Sequence, residues 1–219
     1  MNFTEQILFF TEIIGTIAFA FSGAMIAIEK KMDIFGVIVL GGITAVGGGA
    51  IRDSILGLTP PMLFRSPIYV IVATITSIVV FLMVWFRHSV FNSNTREKYL
   101  HIIDFFDAVG LSAFTVVGVN TAIAAGYQEN TFLVVFVGVL TGVGGGILRD
   151  IMAGIMPMVL RKRIYAIACI LGAVLYLVLL QYIPNSIAMF ATCTFIVMLR
   201  FLAAHYKWNL PVAKLDDNK

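Results

Sequence analysis

The chain alternates between long apolar stretches and short polar connections over almost its whole length. A helix that crosses a bilayer needs ~20 apolar residues, and most of the stretches have about that length. The pattern therefore predicts seven spans, at residues 7–28, 34–58, 68–86, 103–125, 131–154, 164–182 and 186–206. It indicates an all-α membrane protein.

Composition agrees with a bilayer environment and excludes several soluble classes. Hydrophobic residues make up 60% of the 219 residues, charged residues make up 12%, and the mean hydropathy is +0.97. An ordinary soluble domain is ~45–50% apolar and ~25% charged. A large soluble module, a nucleic-acid-binding domain and a disulfide scaffold are therefore poorly supported. Cys169 and Cys193 lie alone in apolar runs and are interpreted as small buried hydrophobic residues.

Basic residues are concentrated in the odd-numbered connections and the C-terminal tail, whereas the even-numbered connections hold Arg65 alone. By the positive-inside rule, the basic side faces the cytoplasm. We expect a multi-pass inner (plasma) membrane protein with its N-terminus outside, and with its C-terminus and a polar tail at 207–219 in the cytoplasm. The basic clusters are also candidates for contact with membrane lipids that carry anionic headgroups. The residues on this side are Lys30, Lys31, Arg87, Arg96, Lys98, Arg161, Lys162, Arg163, Lys207, Lys214 and Lys219, and Arg200 lies near the same end of the last span.

The two halves of the chain share a sequence pattern. Residues 47–60 read GGGAIRDSILGLTP, and residues 144–157 read GGGILRDIMAGIMP. Agreement in register across three predicted helices indicates an internal repeat. Because each copy has three spans, the second enters the membrane from the other side. We predict inverted three-helix repeats at 1–92 and 93–183, followed by a seventh helix at 184–206. The upstream matches, at an offset of 95, are Glu12 with Asp107, Gly15 with Gly110, Phe19 with Phe114, and Gly23 with Gly118.

Triple glycines stand in the second and fifth predicted spans, at Gly47, Gly48 and Gly49 and at Gly144, Gly145 and Gly146. Three glycines cost a helix on the order of 1 kcal/mol each against alanine, and they permit a kink that turns carbonyls toward water. Close helix packing is the alternative. We favour a kink on a transport pathway for the triple glycines, and packing for the single glycines upstream.

Buried charges follow each triple glycine as Arg52–Asp53 and Arg149–Asp150. Intramembrane charges are costly and indicate function, although they also hold helices together. Side chains of adjacent helical residues point about 100° apart, so we expect that the adjacent Arg and Asp cannot pair face to face and that each needs another partner. Similar depths in the membrane predict the pairs Glu12–Arg52 and Asp107–Arg149, one toward each mouth of a pore. Asp53 and Asp150 remain to interact with cations or with helix ends.

Thr44 and Thr141 occupy matching positions three residues before the glycines. Their hydroxyls either face the same space as the glycines or bond to carbonyls within their own helices. Other chemistry is poorly supported: no GK[ST] follows the glycines, and His88, His101 and His205 have no metal-ligand spacing. We expect no cofactor, no enzymatic activity and no nucleic-acid partner.

The twin GGGxxRD segments, the three-plus-three-plus-one spans and the length resemble the trimeric intracellular cation (TRIC) channel family, in its bacterial branch, which also carries a glycine-transporter-like name. The resemblance covers about residues 5–206. It implies a homotrimer in which each protomer has its own pore, lined by kinked second and fifth helices. It also implies conduction of monovalent cations, K+ above all. A carrier for a small metabolite such as glycine is the alternative, because inverted repeats with broken helices also build transporters.

Overall fold

The computed structural model describes residues 3–86, 96–161, 164–206 and 208. All regular structure within these residues is helical, which confirms the predicted class. The predicted boundary at 92–93 and most of the predicted tail at 207–219 lie outside the described residues. The helices are α1 (Phe3–Glu29), α2 (Ile34–Ile55), α3 (Met62–Arg65), α4 (Ile68–Phe86), α5 (Arg96–Ala122), α6 (Thr131–Met152), α7 (Met158–Arg161), α8 (Ala166–Leu179) and α9 (Asn185–His205).

Six of the described helices are long and apolar enough to cross a membrane: α1, α2, α4, α5, α6 and α9. The sequence pattern predicts a further span at 164–182, but α8 there has only 14 residues. At ~1.5 Å per residue this helix is about 21 Å long, which is shorter than a ~30 Å hydrocarbon core. α5 continues into a π-helical turn at Ile123–Tyr127, where Gly126 has a φ of +92°.

Glycines end α2 and α6 earlier than the apolar pattern predicts. Gly57 and Gly154 have φ values of +68° and +66°, which glycine adopts without steric cost. After each glycine the chain bonds back into the helix, with 2.8 Å from Leu58 N to Asp53 O and 2.9 Å from Ile155 N to Asp150 O. This is the Schellman arrangement, so the two matching glycines are helix stops.

Two short helices, α3 and α7, lie in connections that the pattern leaves without structure. Each begins shortly after the glycine stop of the preceding long helix. They bring Met62 and Met158, their first residues, back over the ends of α2 and α6.

α1, α2, α5 and α6 form the centre of the bundle. α4 packs against α1 and α2, and α8 packs against α5 and α6. α9 packs against α5 and α8, which belong to the second half of the chain. We call the end of the bundle where α1 begins and α2 ends the N-terminal end, and the other end, where α6 ends, the opposite end.

Single glycines let these central helices approach each other closely. A Cβ on Gly23 would lie 2.9 Å from the Gly41 Cα, and a Cβ on Gly118 would lie 2.9 Å from the Gly138 Cα. A Cβ on Gly15 would lie 3.1 Å from the Phe114 ring, and one on Gly110 would overlap the Phe19 ring. The packing interpretation of Gly15, Gly23, Gly110 and Gly118 is confirmed.

The triple glycines lie where α2 crosses α6. A Cβ on Gly48 would overlap the Thr141 carbonyl oxygen, and a Cβ on Gly145 would overlap the Thr44 carbonyl oxygen. A Cβ on Gly144 would lie 3.2 Å from the Gly48 Cα. Both helices remain helical through the glycines, without the break that the sequence suggested. In this structure five of these glycines serve close packing, whereas a Cβ on Gly49 would meet no atom nearer than Arg52 Nη2 at 3.7 Å. A kink on a pathway stays a prediction.

Candidate functional site

Charged side chains gather at both ends of the bundle in two groups with similar geometry. The first cluster comprises Glu12, Arg52, Asp53 and Tyr69 and lies at the N-terminal end. The second cluster comprises Asp107, Arg149, Asp150 and Tyr165, together with Ser22 and Arg200, and lies at the opposite end.

In the first cluster, α2 presents Arg52 toward α1 and Asp53 toward the start of α3. Arg52 Nη1 lies 4.0 Å from Glu12 Oε1, so these two residues are paired as depth predicts. The Tyr69 hydroxyl donates a short hydrogen bond to Glu12 Oε2. Arg52 is nearly buried, whereas 16% of the Glu12 side chain is exposed.

A small cavity of about 30 Å³ opens against the first cluster. Two carboxylates and one guanidinium border it, so the cluster carries a formal net charge of −1. The triple glycine contributes Gly49, the only one of the three in the wall. The lining residues are Glu12, Thr16, Ala45, Val46, Gly49, Ala50, Arg52, Asp53, Met62, Leu63, Tyr69 and Phe114.

In the second cluster the corresponding groups are fully buried. Arg149 Nη1 lies 2.7 Å from Asp107 Oδ1, and both side chains are 0% exposed. The predicted Asp107–Arg149 pair is therefore confirmed. The same Nη1 donates to the Ser22 hydroxyl at 2.6 Å. Ser22 belongs to the first repeat, and the matching residue of the second repeat is Val117. The first cluster therefore has no equivalent hydroxyl from α5.

α9 adds a second cation to this group. Arg200 Nη2 lies 3.5 Å from Asp107 Oδ2, and the guanidinium carbon lies 4.5 Å from the centre of the Tyr165 ring. With Arg200 the second cluster holds two carboxylates and two guanidinium groups, so its formal charges cancel. The two clusters therefore differ in net charge and in access to solvent.

The expectation that adjacent Arg and Asp residues cannot pair is wrong in both clusters. Arg52 Nε donates to Asp53 Oδ1 at 2.8 Å, and Arg149 Nε donates to Asp150 Oδ1 at 2.9 Å. The angular argument treats side chains as leaving the helix axis radially. A long arginine side chain bends around the helix, so its Nε reaches the neighbouring carboxylate while its Nη1 extends to the next helix.

Asp53 and Asp150 also hold the starts of the short helices. Asp53 Oδ2 accepts from Met62 N at 2.7 Å, and Asp150 Oδ2 accepts from Met158 N at 2.7 Å. Of the two predicted roles for these carboxylates, interaction with helix ends is confirmed. Each aspartate thus joins the end of a long helix to the beginning of the next short one.

Thr44 and Thr141 bond within their own helices. The Thr44 hydroxyl donates to Leu40 O at 2.6 Å, and the Thr141 hydroxyl donates to Val137 O at 2.6 Å. Both residues are 0% exposed. This confirms the second of the two interpretations of the threonines.

Sequence reasoning missed part of the second cluster and a further polar network. Arg200 was assigned only to the basic side of the membrane, although a charge inside an apolar helix indicates a partner. Asn120 Nδ2 donates to the Tyr176 hydroxyl at 2.5 Å, that hydroxyl donates to Asn185 Oδ1, and Asn185 Nδ2 donates to Asn120 Oδ1 at 3.1 Å. The first half of the chain has no matching polar residues, so the comparison of the two halves gives no signal for this network.

These features define a multi-pass helical membrane protein with a cluster of charged residues at each end of its helix bundle. The family model described as "Glycine transporter" matches the chain twice, at residues 9–85 and 104–181. The Escherichia coli UPF0126 inner membrane protein YadS is 36% identical over 215 residues, 97% of this chain and 99% of that protein. The Bacillus subtilis UPF0126 membrane protein YvgT is 36% identical over 199 residues, 91% of this chain and 93% of that protein.

Solved structures of known proteins are also similar to this chain over nearly its whole length. A TRIC cation channel matches with a TM-score of 0.80 and 34% identity, over 99% of both chains. The Rhodobacter sphaeroides TRIC orthologue matches with a TM-score of 0.80 and 33% identity, over 92% of this chain and 98% of that one. A prokaryotic TRIC channel in 0.5 M KCl matches with a TM-score of 0.83 and 35% identity, over 94% and 100%. The chain therefore belongs to the prokaryotic TRIC channel family, and the glycine transporter model matches the same chain.

Proposed function

We propose that this chain is a passive, K+-permeable channel for monovalent cations, with one pore in each protomer of a homotrimer. The solved relatives at 33–35% identity are named as trimeric intracellular cation channels, which supports both the activity and the assembly. The observation that carries the proposal in this chain is the first cluster. Its net charge of −1, beside a cavity, favours a cation over an anion.

The proposed pore follows the contact between α2 and α6, from the cavity at the N-terminal end to the second cluster. The backbones of α2 and α6 lie in close contact at Gly48 and Gly145, so this proposed route would be closed there. Opening would bend both helices at Gly47–Gly49 and Gly144–Gly146, since residues without side chains permit a kink. A bend there frees carbonyls near Thr44 and Thr141 to face water. Glu12, Arg52 and Asp53 would then stand at one mouth, and Asp107, Arg149 and Asp150 at the other.

We propose an inverted arrangement of the repeats, with seven spans, the N-terminus outside and the C-terminus in the cytoplasm. The double match of one family model supports the repeat, and the basic connections support the orientation. α8 would cross a thinned part of the bilayer together with its flanking residues. Lys30, Lys31 and Arg161 would then lie on the side where anionic lipid headgroups attract basic side chains.

Planar-bilayer recording of the purified protein under a KCl gradient tests the channel. We expect discrete unitary currents that reverse near the K+ equilibrium potential. Glu12→Gln should lower the unitary conductance for K+, because it removes the excess negative charge at the cavity. Ser54→Ala is the control, since Ser54 is exposed and bonds only to Ala50 O in its own helix. Silent bilayers from protein that is folded and trimeric would contradict the proposal.

A glycine carrier is the second candidate, favoured by the description of the family model. At the cavity, Glu12 and Asp53 would bind the amino group of glycine, and Arg52 would bind its carboxylate. Arg52 is already engaged by Asp53 at 2.8 Å, however, and the net negative charge disfavours a zwitterion's carboxylate. Saturable, electrically silent glycine uptake into liposomes, without unitary currents, would establish the carrier in place of the channel.

A further inference from the structure

The second cluster contains unsatisfied polar atoms in a fully buried setting. Asp107 Oδ2, Arg149 Nη2, the Tyr165 hydroxyl and Arg200 Nε have no hydrogen-bond partner among the residues that the structure describes. Buried polar groups in native proteins are normally hydrogen-bonded, and each exception requires an explanation. The Asp107 carboxylate stands between the two guanidinium groups, with Oδ1 2.7 Å from Arg149 Nη1 and Oδ2 3.5 Å from Arg200 Nη2.

Arg200 contacts the Asp107 carboxylate less closely than Arg149 does. Arg149 forms a close contact of 2.7 Å with Oδ1 of Asp107, whereas Arg200 approaches Oδ2 only to 3.5 Å. Arg200 has no further hydrogen bond from Nε, and its other close partner is the face of the Tyr165 ring. An aromatic face attracts any cation near it, so Asp107 Oδ2 and Tyr165 together form a site for positive charge.

The first cluster shows what the second would be without Arg200. Both have an acidic residue on the first helix of a repeat, an Arg–Asp pair on the second, and a tyrosine on the third. Arg200 comes from α9, the helix outside the repeat, so only the second cluster is neutralised. Without Arg200 the second cluster would carry the same net charge of −1 that the first cluster carries beside its cavity.

We propose that Asp107 Oδ2 and Tyr165 form a binding site for a monovalent metal cation, and that Arg200 is a tethered counter-ion that occupies this site in the closed channel. K+ and the Arg200 guanidinium compete for the site, so a permeating cation displaces Arg200 and α9 controls opening. The inference rests on the proposed cation channel. By linkage, a site that Arg200 has vacated binds K+ more tightly, and bound K+ favours the state in which Arg200 is displaced.

The first test measures cation binding without conduction. The melting temperature of purified wild type and of Arg200→Gln is compared in KCl and in N-methyl-D-glucamine chloride at equal ionic strength. Arg200→Gln keeps the Asp107–Arg149 pair and should fold. We expect KCl to raise its Tm by at least ~2 °C relative to the organic cation, because an ion that binds only the folded state stabilises it. Wild type should respond by less than half of that.

Two further variants separate a cation site from simple loosening of α9. Asn185→Ala weakens the other attachment of α9, at Tyr176 and Asn120, and should lower the Tm equally in both salts. Adding Asp107→Asn to Arg200→Gln should abolish the K+ response. Arg200→Lys should respond to an intermediate extent, because its shorter side chain holds the site less well. Equal responses to K+ in wild type, Arg200→Gln and Arg200→Lys would overturn the proposal.

The second test measures the consequence for the channel. In bilayers, Arg200→Gln should increase the open probability about fivefold or more, the lower limit of typical coupling between sites. An unchanged open probability in a conducting Arg200→Gln variant would overturn the role of Arg200 in opening. If no variant conducts, the proposed channel fails, whereas the salt-dependent Tm still decides whether the cation site exists.

Discussion

Each Arg–Asp pair is a junction that joins its own long helix to at least two other helices. In the second cluster, Arg149 holds Asp107 on α5 and Ser22 on α1, while its neighbour Asp150 holds the first N–H of α7. Every one of these bonds involves a charged group, and charge-assisted hydrogen bonds are about twice as strong as neutral ones. A substitution at such a junction should therefore act on several helices at once.

Removal of the acidic residue should have unequal effects in the two clusters. Asp107→Asn leaves two buried guanidinium groups with only Asp150, and breaking a buried pair in this way costs ~3–5 kcal/mol. Glu12→Gln should cost about 1 kcal/mol or less, because Glu12 is partly exposed and lies 4.0 Å from Arg52. Thermal unfolding of both variants in the same detergent and salt checks this order. Equal losses of Tm would show that burial does not distinguish the clusters.

The hydrogen bond from Met62 N to Asp53 is a latch that holds the short helix α3 at the end of α2. Asp53→Asn removes the charge that holds Met62 N and should release α3 from the end of α2. A loss of ~1 kcal/mol would increase the open population about fivefold. The labelling rate of Leu63→Cys by a membrane-impermeant maleimide should rise by this factor, with the parent protein measuring background from Cys169 and Cys193. Ser54→Ala should leave the rate unchanged, and an unchanged rate in Asp53→Asn would exclude a latch.

Gly48 and Gly49 are adjacent in α2 where it crosses α6, and we expect their replacement by alanine to have opposite effects on stability. Gly48→Ala places a Cβ onto the Thr141 carbonyl oxygen, so α2 and α6 must separate and the protein should lose stability. Gly49→Ala places a Cβ whose nearest neighbour is Arg52 Nη2 at 3.7 Å, and alanine gains up to ~1 kcal/mol in helix propensity. We expect a lower Tm for Gly48→Ala and an equal or higher Tm for Gly49→Ala. A similar decrease for both would mean that general loss of flexibility, not contact, sets the cost.

Helices of spanning length could be predicted from sequence because burial in lipid requires continuous apolar runs. The Glu12–Arg52 and Asp107–Arg149 pairs could be predicted because depth depends only on the count of residues along a helix. The bend of Arg52 toward Asp53 and the position of α3 could not, since these depend on side-chain torsions and on contacts between helices. Arg200 was assigned to topology alone because no repeat partner marks it.

At the scale of the whole molecule, the duplicated halves meet through equivalent residues. Phe19 stacks on Phe114 with ring centres 5.3 Å apart, and Gly48 and Gly145 each receive the carbonyl oxygen of the threonine in the other half. Such mutual contacts are expected of two similar halves around an approximate two-fold axis. α9 packs on the second half, and its Arg200 makes the two ends of the bundle electrostatically different.

Inversion of the halves predicts that equivalent surface residues face opposite sides of the membrane. Phe64 on α3 and Leu160 on α7 occupy matching positions, and they are 71% and 73% exposed. In intact bacteria expressing single-cysteine variants, a membrane-impermeant maleimide small enough to pass outer-membrane pores should label Phe64→Cys without further treatment. Leu160→Cys should react only after the inner membrane is permeabilised, because the positive-inside rule places α7 in the cytoplasm. The similar exposure makes the pair its own control for reactivity. Labelling of both from the same side would show that the halves are parallel and that the proposed pore does not join two inverted repeats.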